Sequence, residues 1–301
     1  MQIIPQDIRL DAITTDLISI PVFNSRQIQV ELLRLDKIHP LISGNKWFKL
    51  QYYLRQAKEE NKKRLITFGG AWSNHIIATA AACHLYQLPC TGIIRGEEPS
   101  TLSPVLTAAK SLGMELCFIS RTNYAAEQIP PELNHPDHLI VPAGGYSHTG
   151  ATGAADILTH CSNKESYTHL CCAVGTGTMM AGLLKAKEKH QQVTGISVMR
   201  NNHTLENEMK ELLPDCPPEY SLHHDYHFGG YAKYTDELIH FMNEWYRQTG
   251  IPTDFVYTGK LMFAISDLAT KGFFPEGSKL LLIHSGGLTG NASLGKGKLI
   301  F

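Results

Sequence analysis

Two lysines carry the sharpest chemical prospect in this sequence. In LISGNKWFKLQYYLRQAKEE, Gly44-Asn45 marks a turn, and an amphipathic helix starts at about Lys46. A lysine there lies near the positive end of the helix dipole, which opposes its protonation, and desolvation opposes it further. A neutral lysine amine is the form that Schiff-base chemistry requires. The same argument applies to Lys49, one turn further on, and an ordinary surface lysine would look no different. Local sequence does not choose among these readings.

A second stretch, CCAVGTGTMMAGLLKAK, reads as a buried strand, a Gly/Thr loop and a helix. Backbone N–H groups at a helix start, joined by hydroxyls, form a site for a phosphate dianion. Gly175 and Gly177 leave room for one, and Thr176 and Thr178 can donate to it. The loop lacks the third glycine of a dinucleotide fingerprint, since that position is Met180, and no G-K-[ST] of a Walker loop follows. A single phosphate with something attached is the ligand that fits.

Other candidate chemistry is weaker. Fifteen histidines invite a metal reading, and the spacing of His223 and His227 would place both on one helical face. No third ligand with recognisable spacing stands nearby. The seven cysteines (83, 90, 117, 161, 171, 172 and 216) lie mostly in apolar segments without a C-x-x-C pair, and read as buried, reduced thiols. Twenty-seven basic residues against 28 acidic ones give a formal charge of −1, a balance that argues against a nucleic-acid or polybasic membrane surface. No apolar run reaches the length of a membrane span, and the start MQIIPQDIRLDAITTD lacks the pattern of a signal peptide. A cytoplasmic protein is expected.

The elements that must position these residues alternate along the chain. Apolar, β-branched runs at 64–70, 91–95, 114–120, 138–145, 169–175, 193–199 and 279–287 read as strands. Between them fall helical patterns, among them SNHIIATAAACHLYQL, LSPVLTAAKSLG and segments near 150–161, 180–189, 234–249 and 261–271. Buried strands alternating with helices give an α/β fold with open parallel sheets covered by helices. Four strands run straight into glycine, at FGG 68–70, AGG 143–145, VGTG 174–177 and SGG 285–287. Ligands of open parallel sheets bind beyond such strand ends, so a shared cleft is predicted there.

The ordered stretches LDKIHPLISGNKWFKL, TFGGAWSNHIIATAAA, VGTGTMMAGL, HFGGYAKYTDE and DFVYTGKLMFAISDLATKGFFPEGSKLLLIHSGG resemble the D-cysteine desulfhydrase and 1-aminocyclopropane-1-carboxylate deaminase family across nearly the whole chain. These are fold-type II pyridoxal-phosphate enzymes, similar to the tryptophan synthase β chain. The resemblance implies two domains, a large one from residues 1–48 and 150–301 and a small inserted one from 49–149, and a homodimer. It implies pyridoxal 5'-phosphate as cofactor, a small amino acid as substrate, and a Schiff base on Lys46 rather than Lys49. Ser73 and Asn74 of WSNH fall on the family's substrate-carboxylate and cofactor-hydroxyl positions, although either residue could simply cap its helix. Tyr257 of VYTGK and Tyr231 of GGYAKY match its active-site tyrosines, and Gly175 to Thr178 its phosphate loop.

Two departures bear on the substrate. Met179 stands where the family's loop usually carries threonine, and Trp72 replaces the usual glutamine before S-N. The residue after the active-site tyrosine is acidic in the deaminase branch, but here it is Thr258, as in the desulfhydrase branch. With Ser285 as a second hydroxyl, Thr258 would hydrogen-bond the pyridine nitrogen without protonating it. That weaker electron sink favours β-elimination, and so a D-cysteine desulfhydrase-like reaction that releases pyruvate, ammonia and sulfide. Ring-opening deamination, a non-catalytic cofactor-binding protein and a nucleotide-dependent dehydrogenase are the alternatives.

Overall fold

The structure is a computed structural model and describes residues 4–213 and 219–301. Cys216 lies outside the described residues. The strands, in chain order, are β1 (Thr15–Ile18), β2 (Gln29–Arg34), β3 (Arg64–Gly69), β4 (Cys90–Arg95), β5 (Met114–Ile119), β6 (His138–Val141), β7 (His169–Val174), β8 (Gln192–Ser197), β9 (Tyr220–His223) and β10 (Lys279–His284). Between them run α1 (Pro21–Ser25), α2 (Asn45–Glu59), α3 (Asn74–Leu85), α4 (Pro104–Ser111), α5 (Arg121–Ala125), α6 (His148–Ala155), α7 (Thr178–Ala186), α8 (Leu205–Leu212), α9 (Asp236–Thr249) and α10 (Thr258–Thr270). All seven strand segments expected from the sequence form. β1, β2 and β9 are additions.

The strands make two sheets, one ordered β1-β2-β10-β7-β8-β9 and the other β5-β4-β3-β6. Every pairing is parallel except that of β1 with β2. The central strands are apolar because helices cover them. All six residues of β7 are buried, as are five of six in β10. One apolar core reaches from Leu33 and Leu281 in the first sheet, through Trp47 and Phe48 of α2 and Ile76 of α3, to Leu65 in the second.

Helix starts follow local capping chemistry. The Ser73 hydroxyl oxygen accepts from the backbone N–H groups of His75 and Ile76, at 3.2 and 3.4 Å, and so caps α3. Ser103 and Ser147 cap α4 and α6 in the same way. Other expectations need correction. His223 sits in β9, paired with Ile196, while His227 lies in the turn beyond, so they share no helical face. Five of the cysteines are buried as expected, but Cys117 is only half-buried.

Gly44 joins the cleft's two sides. Its φ of +73° is left-handed, and a Cβ there would lie 1.8 Å from the Ser285 carbonyl oxygen. The next residue, Asn45, donates its N–H to that same oxygen at 3.3 Å. Gly44→Ala is therefore expected to destabilise the fold by about 2–4 kcal/mol, read as a lower denaturant midpoint. Gly250→Ala is the control: its φ is +67° but a Cβ there would meet nothing within 4 Å, so only the dihedral cost of about 1 kcal/mol applies. Equal losses at the two positions would contradict the steric account.

Candidate active site

The carboxyl ends of β7 and β10 in the first sheet and of β6 in the second open onto one cleft, lined also by the loop that leads into α2. Three of the four glycine turns line it, through Gly144, Gly175, Gly177, Gly286 and Gly287. The fourth, at 68–70, stands back and contributes through Asn74, at the start of α3.

Lys46 lines the cleft from the first turn of α2. Burial pushes its amine down to about 8, and the negative charge of Asp254 holds it from falling further. Lys49 lines the same wall and donates to the Gly144 carbonyl at 3.0 Å. Burial, then repulsion by Lys46, drives the Lys49 amine well below the ordinary lysine range. No carboxylate stands among the lining residues.

On the opposite wall, Gly177 (φ +75°) opens α7, whose first N–H groups have no acceptor within the helix. The hydroxyls of Thr176 and Thr178 lie 2.9 Å apart beside them. Met179 packs into the core at 4% exposed and brings only an apolar side chain to the cleft, so the hydroxyls at this loop come from Thr176 and Thr178. Two lysines and a helix start with no carboxylate at the wall make a site short of negative charge. The donors suit a phosphate dianion, and the Lys46 amine, lowered to about 8, lines the space beside it. A Cβ on Gly175 would come within 3.2 Å of the Tyr257 ring, so the loop runs close under that tyrosine. These features fit a phosphorylated aldehyde cofactor.

Asn74 is fixed from the far side, donating to the Gly287 carbonyl at 3.4 Å and accepting from the Thr289 hydroxyl at 3.0 Å. Ser285 lines the cleft beside it. Tyr257 lines the cleft; Tyr231, 44% exposed, is not a lining residue but meets the Tyr257 ring edge to face at 6.2 Å. Burial, the neighbouring Tyr231 and its hydrogen bond push the Tyr257 phenol well up, so it stays a proton donor across the working pH range. Trp72, 39% exposed, flanks Ser73.

Thr258 is placed differently from its neighbours. It is fully buried, outside the cleft wall, and its hydroxyl donates to Asp254 Oδ1 at 2.7 Å while accepting from the Asp254 N–H at 2.7 Å. That hydroxyl has no proton left to give, so the branch choice drawn from Thr258 alone loses its footing.

Asp254 is the residue that sequence reading missed. It is fully buried, and its carboxylate accepts from the N–H groups of Val256, Tyr257 and Thr258 at 3.0, 2.9 and 2.8 Å. The signal was present as an aspartate four residues before Thr258, at the start of a helical pattern.

Comparison with known proteins settles the family. The family described as "Pyridoxal-phosphate dependent enzyme" matches the chain over residues 8–286. The chain belongs to the pyridoxal-phosphate-dependent enzymes. A protein of Pyrococcus horikoshii, provisionally named a 1-aminocyclopropane-1-carboxylate deaminase, is 29% identical over 297 residues, covering 90% of this chain and 89% of that one. Its counterpart in Pyrococcus abyssi, with the same provisional name, is 30% identical over 291 residues, covering 88% and 87%. A crystal structure of an ACC deaminase homologue superposes with a TM-score of 0.78 at 28% identity, over 93% of this chain and 90% of the other. The fold is also that of the O-acetylserine-dependent cystathionine β-synthase of Helicobacter pylori, with a TM-score of 0.67 at 17% identity, over 98% and 99% of the two chains. This pyridoxal-phosphate-dependent enzyme is thus a fold-type II protein with helix-covered parallel sheets. Among the described residues, no helix is long and apolar enough to cross a membrane.

Proposed function

We propose that this enzyme deaminates a small amino acid, with α,β-elimination from D-cysteine as the first reaction to test. The observation that carries the reading is a lysine amine at about 8 sharing one cleft with Tyr257, whose ring meets that of Tyr231. Pyridoxal phosphate supplies the electron sink that makes an α-proton acidic. The Thr176–Thr178 loop and the start of α7 would hold its phosphate, and Lys46 would anchor it covalently. The Lys46 amine, free at Nζ, would take the substrate's α-proton. Ser73 and Asn74 orient the substrate carboxylate and the cofactor's ring hydroxyl. Tyr257, kept protonated, donates to the Tyr231 oxygen, and this hydroxyl pair would supply the proton to the departing thiolate. D-cysteine and water would yield pyruvate, ammonia and hydrogen sulfide.

The names of the Pyrococcus relatives favour a second reading, ring opening of 1-aminocyclopropane-1-carboxylate to 2-oxobutanoate and ammonia. A panel of D- and L-cysteine, D-serine, β-chloroalanine and 1-aminocyclopropane-1-carboxylate separates them, with the 2-oxo acid product identified. Pyruvate and sulfide from D-cysteine support elimination, and 2-oxobutanoate alone transfers the assignment to ring opening. Release of no 2-oxo acid from any of them would sink both. We also take residues 49–149 as a small unit inserted into a larger one of 1–48 and 150–301, working as a cytoplasmic homodimer. All four strands of the second sheet fall inside that insert.

Cofactor uptake should follow the titration of Lys46. The neutral amine is the nucleophile, so with a pKa of about 8 roughly a tenth of it is reactive at pH 7, against a few parts in ten thousand for an ordinary lysine. The rate constant for reconstituting the cofactor-free enzyme should rise with pH and level off above about 8. A rate still climbing tenfold per unit at pH 10 would mean an unperturbed amine.

A further inference from the structure

α10 carries a lysine that the proposed reaction does not use. Lys260 is fully buried, and its neighbours Leu261, Met262, Ala264 and Ile265 on the same helix are buried apolar side chains. Burying an ammonium is costly unless it is both hydrogen-bonded and compensated. Both conditions hold. Its Nζ donates to the carbonyls of His227 and Gly230, each at 2.8 Å. Burial lowers its pKa to about 8, and the charge of Asp254 opposes that fall. At neutral pH it is mainly an ammonium.

Those two carbonyls belong to the turn that delivers Tyr231. Gly229 and Gly230 take φ values of +93° and +118°, which glycine adopts freely, but Phe228 and Ala232 beside them stand at +50° and +52°, a left-handed conformation that is costly for a residue with a Cβ, so this turn needs something to hold it. A second tie runs to the same helix, where Phe228 packs edge to face on Phe263 at 4.9 Å. Tyr231 follows immediately and meets Tyr257. Tyr257 is held independently, through its own N–H, by Asp254. The two tyrosines therefore approach from different segments, one fixed by a buried anion and the other beside a turn fixed by a buried cation.

We propose that Lys260 is the positioning residue of the tyrosine pair, fixing the 227–230 turn so that Tyr231 stands against Tyr257 at the cleft. The inference rests on the reading of these tyrosines as substrate-facing. Lys260→Met removes the donors while keeping an unbranched stem, Lys260→Arg keeps charge and donors, and Tyr231→Phe reports the pair itself. Measured on the cofactor-loaded enzyme, Lys260→Met should retain the visible absorbance of bound cofactor and lose about tenfold or more in kcat. Amide hydrogen exchange across 228–233 should accelerate about tenfold or more, and Lys260→Arg should recover much of both losses. The double variant Lys260→Met/Tyr231→Phe should match Tyr231→Phe within about twofold, because both changes remove one contact. Multiplying effects in the double variant, or unchanged exchange in Lys260→Met, overturns the proposal. If Tyr231→Phe alone leaves kcat intact, the substrate-facing reading fails, and the exchange measurement by itself decides whether Lys260 holds the turn. Should Lys260→Met not accumulate as folded protein, Lys260→Gln takes its place with the same readouts.

Discussion

Lys46→Ala is expected to accumulate as a folded protein that has lost covalently held cofactor and at least about a thousandfold in kcat. The fold survives because the side chain serves chemistry rather than packing. A buried amine lowered to about 8 is a group the folded state disfavours in its charged form, so removing it should leave the denaturant midpoint unchanged or slightly higher. Lys49 provides the internal control. It lies on the same helix wall, and its amine is held against the Gly144 carbonyl at 3.0 Å. Lys49→Ala should weaken cofactor binding through the lost hydrogen bond to the Gly144 carbonyl but keep the absorbance of the covalent adduct. If the two variants behave the other way round, the anchor is Lys49, and the proton transfer assigned above moves with it.

The largest effect on stability should come from Asp254→Ala. This carboxylate satisfies three backbone N–H groups and the Thr258 hydroxyl, and it is the negative charge felt by Lys46 and Lys260. Removing it strands buried donors and leaves the Lys260 ammonium without its compensating charge, a loss of about 3–5 kcal/mol. Denaturant unfolding of the cofactor-free protein measures it directly. Asp254→Asn keeps an acceptor oxygen but turns an amide N–H₂ toward backbone donors, so it should recover only part of the loss. A change below about 1 kcal/mol in Asp254→Ala would show that water replaces the carboxylate and that the start of α10 is not held as described.

Much of this site was legible because strand ends in open parallel sheets advertise themselves. An apolar β-branched run that stops at glycine, as in HLCCAVGTG or KLLLIHSGG, states both the strand and the place where backbone nears a ligand. The choice of Lys46 over Lys49 was not legible locally, since both face the cleft and both lose pKa to burial. Resemblance over ordered motifs made that choice. β2 escaped because QVELLR is built mostly of good helix formers, and its pairing with β1 and β10 makes it a strand. β1 and β9 have four residues each and, unlike β6, no glycine turn directly beyond them to mark the strand end. Ser73 was balanced between capping and catalysis, and its capping bonds leave the hydroxyl proton free for a ligand. Thr258 misled for a different reason. A hydroxyl's meaning depends on where its single proton goes, and that is decided by Asp254.

The pairing of β2 with β10 also has a consequence for how the chain comes off the ribosome. Arg34 ends β2 and Lys279 begins β10, and the Lys46 helix leans on the Ser285 carbonyl just beyond. At about 5–20 residues per second, roughly 10–50 s of synthesis separate the two strands. During that interval the four-stranded sheet of residues 64–141 can close on itself, while β2 waits with an unpaired apolar edge. Lys46 is among the first residues of the cleft to be translated and among the last to be set in place. Nascent chains stalled before residue 279 should hold a formed second sheet and no cleft able to capture cofactor.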